Sequence, residues 1–168
     1  ATGEIERFTE SGLKLADGRE IAADIVVAAT GLKVVAFGKT RISVDGRTAD
    51  APQAMIYKGM MLSDLPNMVF IFGYTNASWT LKADLSCDYL VRLLRRMDAT
   101  EARTAVARRD PDVEEIPFLD FTSGYVRRAL PTLPKQGARR PWRLYQNYLL
   151  DLITLRFGRI EDGTLRLS

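Results

Sequence analysis

The sequence predicts a partial α/β fold: a β-hairpin meander first, then a strand running into a helix, then further helices toward the C-terminal end. Three features of the 168 residues carry this expectation. X-Gly pairs punctuate the first third, an apolar run at residues 68–72 opens into small polar residues, and apolar residues recur at helical spacing after residue 80.

Ser11-Gly12 and Asp17-Gly18 divide the opening segment into short strands, because such pairs supply the backbone conformations that hairpin turns need. Asp45-Gly46 repeats the device. The run at 25–29, Ile-Val-Val-Ala-Ala, is continuously apolar, which predicts a strand covered on both faces and ended by Thr30-Gly31. After Pro66, residues 68–72 predict a central strand. A helix begins near Thr80, with Leu90, Leu93, Leu94 and Met97 forming one buried stripe. Residues 101–109 predict a second, weaker helix ended by Asp110-Pro111. Five prolines between 111 and 141 predict an extended, partly ordered connection. Pro141 suits the first position of a helix carrying Tyr145, Tyr148, Leu149 and Leu152, with Gly158 as its stop. A short hairpin at Asp162-Gly163 closes the chain.

Composition narrows the function. With 46% hydrophobic and 27% charged residues, the chain falls in the globular range. Its single cysteine, Cys87, excludes an internal disulfide framework and a cysteine-based zinc site. The absence of histidine removes Ser/His and Cys/His catalytic couples and histidine metal clusters, so no metal site is expected here. One cysteine and no secretory signal predict a cytoplasmic location. The first residue is Ala rather than Met, which predicts a trimmed or partial chain. The net charge is +3, but the arginine pairs at 95–96, 108–109, 127–128 and 139–140 are scattered among acids, which argues against a nucleic-acid partner. The apolar stretch 144–157 contains Asp151 and Arg156 and is too short to span a membrane.

The stretch Gly73-Tyr74-Thr75-Asn76-Ala77-Ser78 raises the functional question. A helix N-terminus carries free N–H groups, so residues 78–83 could aim main-chain donors at a carbonyl or phosphate. An ordinary strand-loop-helix junction capped by Ser78 or Thr80 accounts for the same pattern and is the commoner case. Likewise Ala29-Thr30-Gly31 could let the backbone approach a cofactor closely, or simply end a strand.

Taken together, ATG at 29–31 followed by KGMML, GYTNASWTLKADL, DVEEIPF, FTSGYVRR, LPKQG and PWRLYQNYL resembles the flavin-containing and Baeyer–Villiger monooxygenases. The resemblance is closest to their ethionamide-activating branch and runs along nearly the whole chain. ATG alone is a weak signal; the ordered set is specific. The family uses one GxGxxG turn for FAD, another for NADPH, and a histidine-bearing fingerprint between them, none of which occurs here. Nor can the family's active-site arginine be placed on a residue of this chain. The resemblance therefore implies a C-terminal fragment, inactive by itself. Residues 1–31 would return from the NADPH domain, 32–110 would complete the FAD domain, and 111–168 would be an extension docked on it.

The resemblance implies a strand-to-helix element of a two-dinucleotide-binding flavoprotein. Thr30 and Gly31 match the link between its dinucleotide domains. Asn76, Ser78 and Trp79 match the segment passing the flavin ring, and Leu81, Lys82 and Ala83 the helix start whose amides face the flavin edge. Trp79 would wall the substrate pocket or serve as a core tryptophan, and Lys82 with Asp84 would otherwise be a solvated pair. Trp142 and Arg143 look like an interdomain docking element. The implied enzyme uses FAD, NADPH and dioxygen to oxygenate ketones or sulfur compounds, with neither cofactor tightly held by this chain alone. Its implied partners are that substrate and the missing N-terminal domains, and exposed strand edges make self-association a further expectation. A non-catalytic docking domain and a flavin-dependent pyridine nucleotide reductase fragment remain open alternatives.

Overall fold

A computed structural model describes residues 2–168. The chain divides into two compact units, the first ending at Leu32 and the second running from Lys33 to Ser168. Strands and helices are mixed, as an α/β fragment requires.

The first unit is an antiparallel meander of β1 (Ile5–Thr9), β2 (Gly12–Leu15) and β3 (Glu20–Ala22), with β2 in the middle. The first turn is Glu10-Ser11, one residue ahead of the expected pair, with Gly12 already in β2; the second falls at Asp17-Gly18, as expected. At the second, Asp17 accepts hydrogen bonds from the Arg19 N–H at 3.1 Å and from Arg19 Nε at 2.7 Å. The run at 25–29 corrects the sequence reading. It forms no strand, and Ile25 and Val27 are 83% and 80% exposed. An apolar strand covered on both faces needs neighbours on each side, and the described residues of this unit offer it no ladder partner.

The second unit opens with the hairpin β4 (Ser43–Val44) and β5 (Arg47–Thr48), turned at Asp45 and Gly46, whose φ values are 50° and 77°. Consecutive positive φ angles are the two-residue hairpin geometry that an Asp-Gly pair favours. A second hairpin, β6 (Ile56–Tyr57) and β7 (Met61–Leu62), lies at the centre of the unit. Met55, Ile56, Tyr57, Met60, Met61 and Leu62 are all at most 1% exposed. Burying such side chains fully stabilises the fold by roughly 1.5–3 kcal/mol each. Because side chains alternate along a strand, Ile56 and Leu62 join one apolar cluster with Leu65, Phe118, Ala129 and Leu133. Tyr57 and Met61 join the other, with Leu85, Tyr89, Leu93, Trp142 and Leu155.

Residues 68–72 are not a ladder strand, which corrects the second strand expectation. The segment alternates as a strand does, Met68, Phe70 and Phe72 facing one cluster and Val69 the other. Its Phe70 N–H donates to the Met60 carbonyl at 2.8 Å, but no strand pairs along its length among the described residues.

The long helix α1 (Trp79–Ala99) starts where the sequence places it. Its buried face consists of Lys82, Leu85, Ser86, Tyr89 and Leu93, so Leu94, which is 50% exposed, lies outside the stripe expected of it. The weaker helix expected at 101–109 is instead β8 (Ala105–Ala107). Small and β-branched residues let that segment pair with the closing strand β11 (Leu165–Leu167), and Asn67 bonds both ways to it, accepting from the Ala105 N–H and donating its own N–H to the Ala105 carbonyl.

The proline-rich connection is more ordered than expected. It holds β9 (Glu115–Pro117), the short helix α2 (Gly124–Ala129) and β10 (Lys135–Gly137), with β9 and β10 paired antiparallel. Gly137 is required by close approach, since a Cβ there would stand 2.6 Å from both Trp142 Cβ and Val113 Cγ1. Pro141 follows a cis peptide bond in a turn rather than opening a helix. The helix α3 (Tyr148–Asp151) begins later, capped by the Asn147 side chain accepting from the Leu150 N–H at 3.1 Å, and widens into a π-helical stretch at Leu152–Phe157. Leu155 is its buried residue, while Leu149 is 67% exposed, so the expected stripe is rotated. Gly158 stops it. Asp162-Gly163 turns the chain without forming a hairpin, and β11 pairs with β8 instead.

Candidate functional site

The start of α1 has the main-chain donors but no side-chain cap. Ser78 occupies the N-cap position, yet its hydroxyl lies 2.9 Å from that of Thr80 rather than bonding to the helix. Trp79, Thr80 and Leu81 precede the first intrahelical donor, the Lys82 N–H, so their N–H groups have no carbonyl to bond within the helix and no side chain caps them. The preceding segment is held by Gln146, whose side chain accepts from the Thr75 N–H at 3.0 Å and whose carbonyl accepts from Asn76 Nδ2 at 3.1 Å. Trp79 is 49% exposed and meets the Phe72 ring edge-on at 5.0 Å, so it is not a core tryptophan. It lies across Gly73, where a Cβ would come within 2.2 Å of the indole. Leu81 is exposed and Ala83 half-buried. Six of the eight singled-out residues thus belong to one helix start in the second unit. Thr30 and Gly31 belong to the first unit, where both are exposed.

Lys82 departs from the solvated pair that sequence offered with Asp84. Asp84 is exposed, whereas the Lys82 side chain is 6% exposed and its Nζ lies 2.9 Å from Asp151 Oδ2. Tyr74 donates to the same oxygen at 2.7 Å. Burial pushes the Lys82 ammonium below its ordinary value, with Asp151 opposing. Burial likewise raises the Tyr74 hydroxyl, and Asp151 raises it further.

A second cluster repeats the arrangement. Lys58 Nζ lies 3.1 Å from Asp162 Oδ2, which accepts from the Tyr57 hydroxyl at 2.8 Å. The Tyr57 and Tyr89 hydroxyls meet at 3.1 Å, and the Lys58 ammonium lies 4.8 Å from the Tyr89 ring centre. Burial pushes Tyr89 up to about 12 and pushes Lys58 down. Burial works against ionisation of Asp162 too. Lys58, the Tyr57 hydroxyl and the Leu165 N–H nonetheless hold its carboxyl below the ordinary carboxylate value. Arg92 fixes the wall, donating to the carbonyls of Leu155 at 2.7 Å and Gly158 at 2.6 Å. Both lysine–aspartate pairs line one cavity of about 390 Å³, closed on its apolar side by Pro141, Leu144, Leu150 and Leu155. Trp142, expected as a docking element, is instead core at 1% exposure, edge-on to Tyr57 at 5.7 Å; Arg143 is exposed and lines the cavity.

Across 99% of its length the chain is 53% identical to the FAD-containing monooxygenase EthA of Mycobacterium tuberculosis. It is a homologue of the FAD-containing monooxygenases. The probable FAD-binding monooxygenase AlmA of Acinetobacter baylyi is 43% identical over 98% of the chain, and the putative FAD-containing monooxygenase MymA of M. tuberculosis 44% over 99%. The homologue spans about a third of the length of these curated relatives, 34%, 33% and 34% respectively. No protein-family profile and no solved structure matches it. No helix among the described residues is long and apolar enough to cross a membrane.

Sequence reasoning missed most of the polar cavity of this monooxygenase homologue. Asp162 stands far along the chain from Lys58, and Asp151 from Lys82, and nothing local couples either pair. Lys82 was within reach: it lies three, four and seven residues before Leu85, Ser86 and Tyr89, which places it on the buried face, where a lysine needs a carboxylate.

Proposed function

We propose that this chain forms the C-terminal third of a flavoprotein monooxygenase that takes electrons from NADPH and oxygenates ketones or sulfur compounds with dioxygen, Baeyer–Villiger oxidation included. One observation carries the reading: identity of 42–53% along 98–99% of the chain with proteins named for FAD and monooxygenation. The uncapped start of α1 supports it. Three free N–H groups at the positive end of a 21-residue helix fit an electron-rich carbonyl edge such as that of a flavin ring, worth about 0.3–1 kcal/mol at an exposed site.

In this reading Asn76, Ser78 and Trp79 border the flavin ring, and the amides at Leu81, Lys82 and Ala83 begin the helix beneath its edge. With Ser78 as cap, Leu81 offers a free N–H, whereas those of Lys82 and Ala83 point toward helix carbonyls. Bound FAD would supply the redox and oxygen chemistry. The chain's own part is to position the ring, with Trp79 shielding it from water above Gly73. Thr30 and Gly31 would form the link to the NADPH-binding part, and residues 111–168 an extension on the FAD domain. The exposed apolar run at 25–29 and the unpaired segment 68–72 are then strands whose ladder partners lie in the rest of the protein.

The test is a chimera in which this chain replaces the matching third of the M. tuberculosis EthA protein. Stoichiometric flavin and NADPH-dependent oxygenation of a ketone or thioether are expected. A folded but colourless and inactive chimera overturns the reading.

A further inference from the structure

Beyond the flavin chemistry, we propose that the cavity between the two lysine–aspartate pairs binds an organic anion: one carboxylate or phosphate head on an apolar body. Its volume of about 390 Å³ lies within the range of small-molecule pockets, ~300–1,000 Å³. Five cationic side chains, Lys58, Lys82, Arg140, Arg143 and Arg159, face two carboxylates, Asp151 and Asp162, an excess of three positive charges.

The two carboxylates are already committed. Asp151 Oδ2 receives the Lys82 ammonium and the Tyr74 hydroxyl. Asp162 Oδ2 receives Lys58 and the Tyr57 hydroxyl, while its Oδ1 accepts from the N–H groups of Thr164 and Leu165 at 3.1 Å each. Each carboxylate charge is thus already balanced by a lysine, and only Asp151 Oδ1 is left without a partner among the described residues. The three arginines are different: among the described residues none has a carboxylate within ion-pair distance. Arg140 instead stacks over the Tyr145 ring at 5.3 Å, which leaves its N–H edge available. Guanidinium groups present forked donors that match carboxylate and phosphate oxygens. The Pro141, Leu144, Leu150 and Leu155 wall receives the apolar body. Every one of these lining residues belongs to the second unit.

The experiment is thermal melting of the 168-residue chain with octanoate, octyl phosphate, octan-1-ol, octylamine or inorganic phosphate, all below micellar concentration. A rise in Tm growing with the logarithm of octanoate or octyl phosphate concentration is expected, and the stronger of the two identifies the head group. Octan-1-ol, octylamine and inorganic phosphate should give little. In Arg143→Gln/Arg159→Gln the apparent affinity should fall by roughly tenfold or more, as expected for losing hydrogen bonds to a charged group. Arg95→Gln, on the exposed face of α1, should retain it. Equal shifts with octan-1-ol, no shift with either anion, or an unchanged response in the double variant each overturns the proposal.

Discussion

Lys82 and Asp151 meet at 2.9 Å with side chains only 6% and 15% exposed, tying the first turns of α1 to the end of α3. Breaking a buried pair leaves the surviving charge without compensation. Asp151→Asn should therefore destabilise the second unit by about 3 kcal/mol in urea unfolding. Lys82→Met/Asp151→Leu, which removes both charges, should recover much of the loss. A single-variant cost no larger than that of Arg95→Ala would show the pair to be solvated.

Asp162 sets an acid limit. Its folded carboxyl sits below the ordinary 3.8 despite burial, so its stabilisation is complete above that value and is lost as pH falls through the lowered one. Lys58, lowered from 10.5, has the opposite sense: its penalty is present at low pH and is relieved as pH rises toward 10.5. The stability of the unmodified chain should fall below pH 3.8 more steeply than that of Asp162→Asn. Parallel curves would mean the Lys58 contact does not favour the ionised form.

Gly137→Ala places a methyl group 2.6 Å from Trp142 Cβ and Val113 Cγ1, and 3.0 Å from Met55 Sδ. These neighbours sit in the buried core and have little room to yield, so a loss of roughly 1–3 kcal/mol is expected. A calorimetric Tm unchanged from the unmodified chain would contradict this packing.

Leu81→Pro tests the helix start in the full chimera. Proline is tolerated in a first helical turn, so α1 should persist while one free N–H disappears. Flavin occupancy should drop well below that of Arg95→Ala, with circular dichroism matched. Equal occupancy would reduce the start of α1 to a structural junction.

The chain alone should elute colourless after incubation with FAD and desalting, because it carries no glycine-rich pyrophosphate turn. NADPH consumption with added FAD should stay at the free-flavin rate. Retained stoichiometric flavin would place the binding determinants inside this third.

What the sequence made legible was local. Asp17-Gly18 and Asp45-Gly46 specify their own turns, and the start of α1 follows from small polar residues giving way to a helical pattern. Residues 25–29 and 68–72 read as strands because periodicity reports apolarity, and a ladder needs a second chain segment that periodicity cannot see. The segment 105–107 failed differently: propensity favoured a helix, and pairing with a strand some sixty residues later overrode it. The cavity was the least legible part, since its ion pairs join Lys58 to Asp162 and Lys82 to Asp151 across long stretches of chain.

The hairpin β6–β7 sends alternate residues into two different apolar clusters. Opening either cluster strips a face from the same four residues, so the two are expected to open together, and the slowest-exchanging amides of the second unit should share a single opening free energy. Such an element behaves like a keystone: damage at Ile56 should loosen Trp142 as surely as damage beside it.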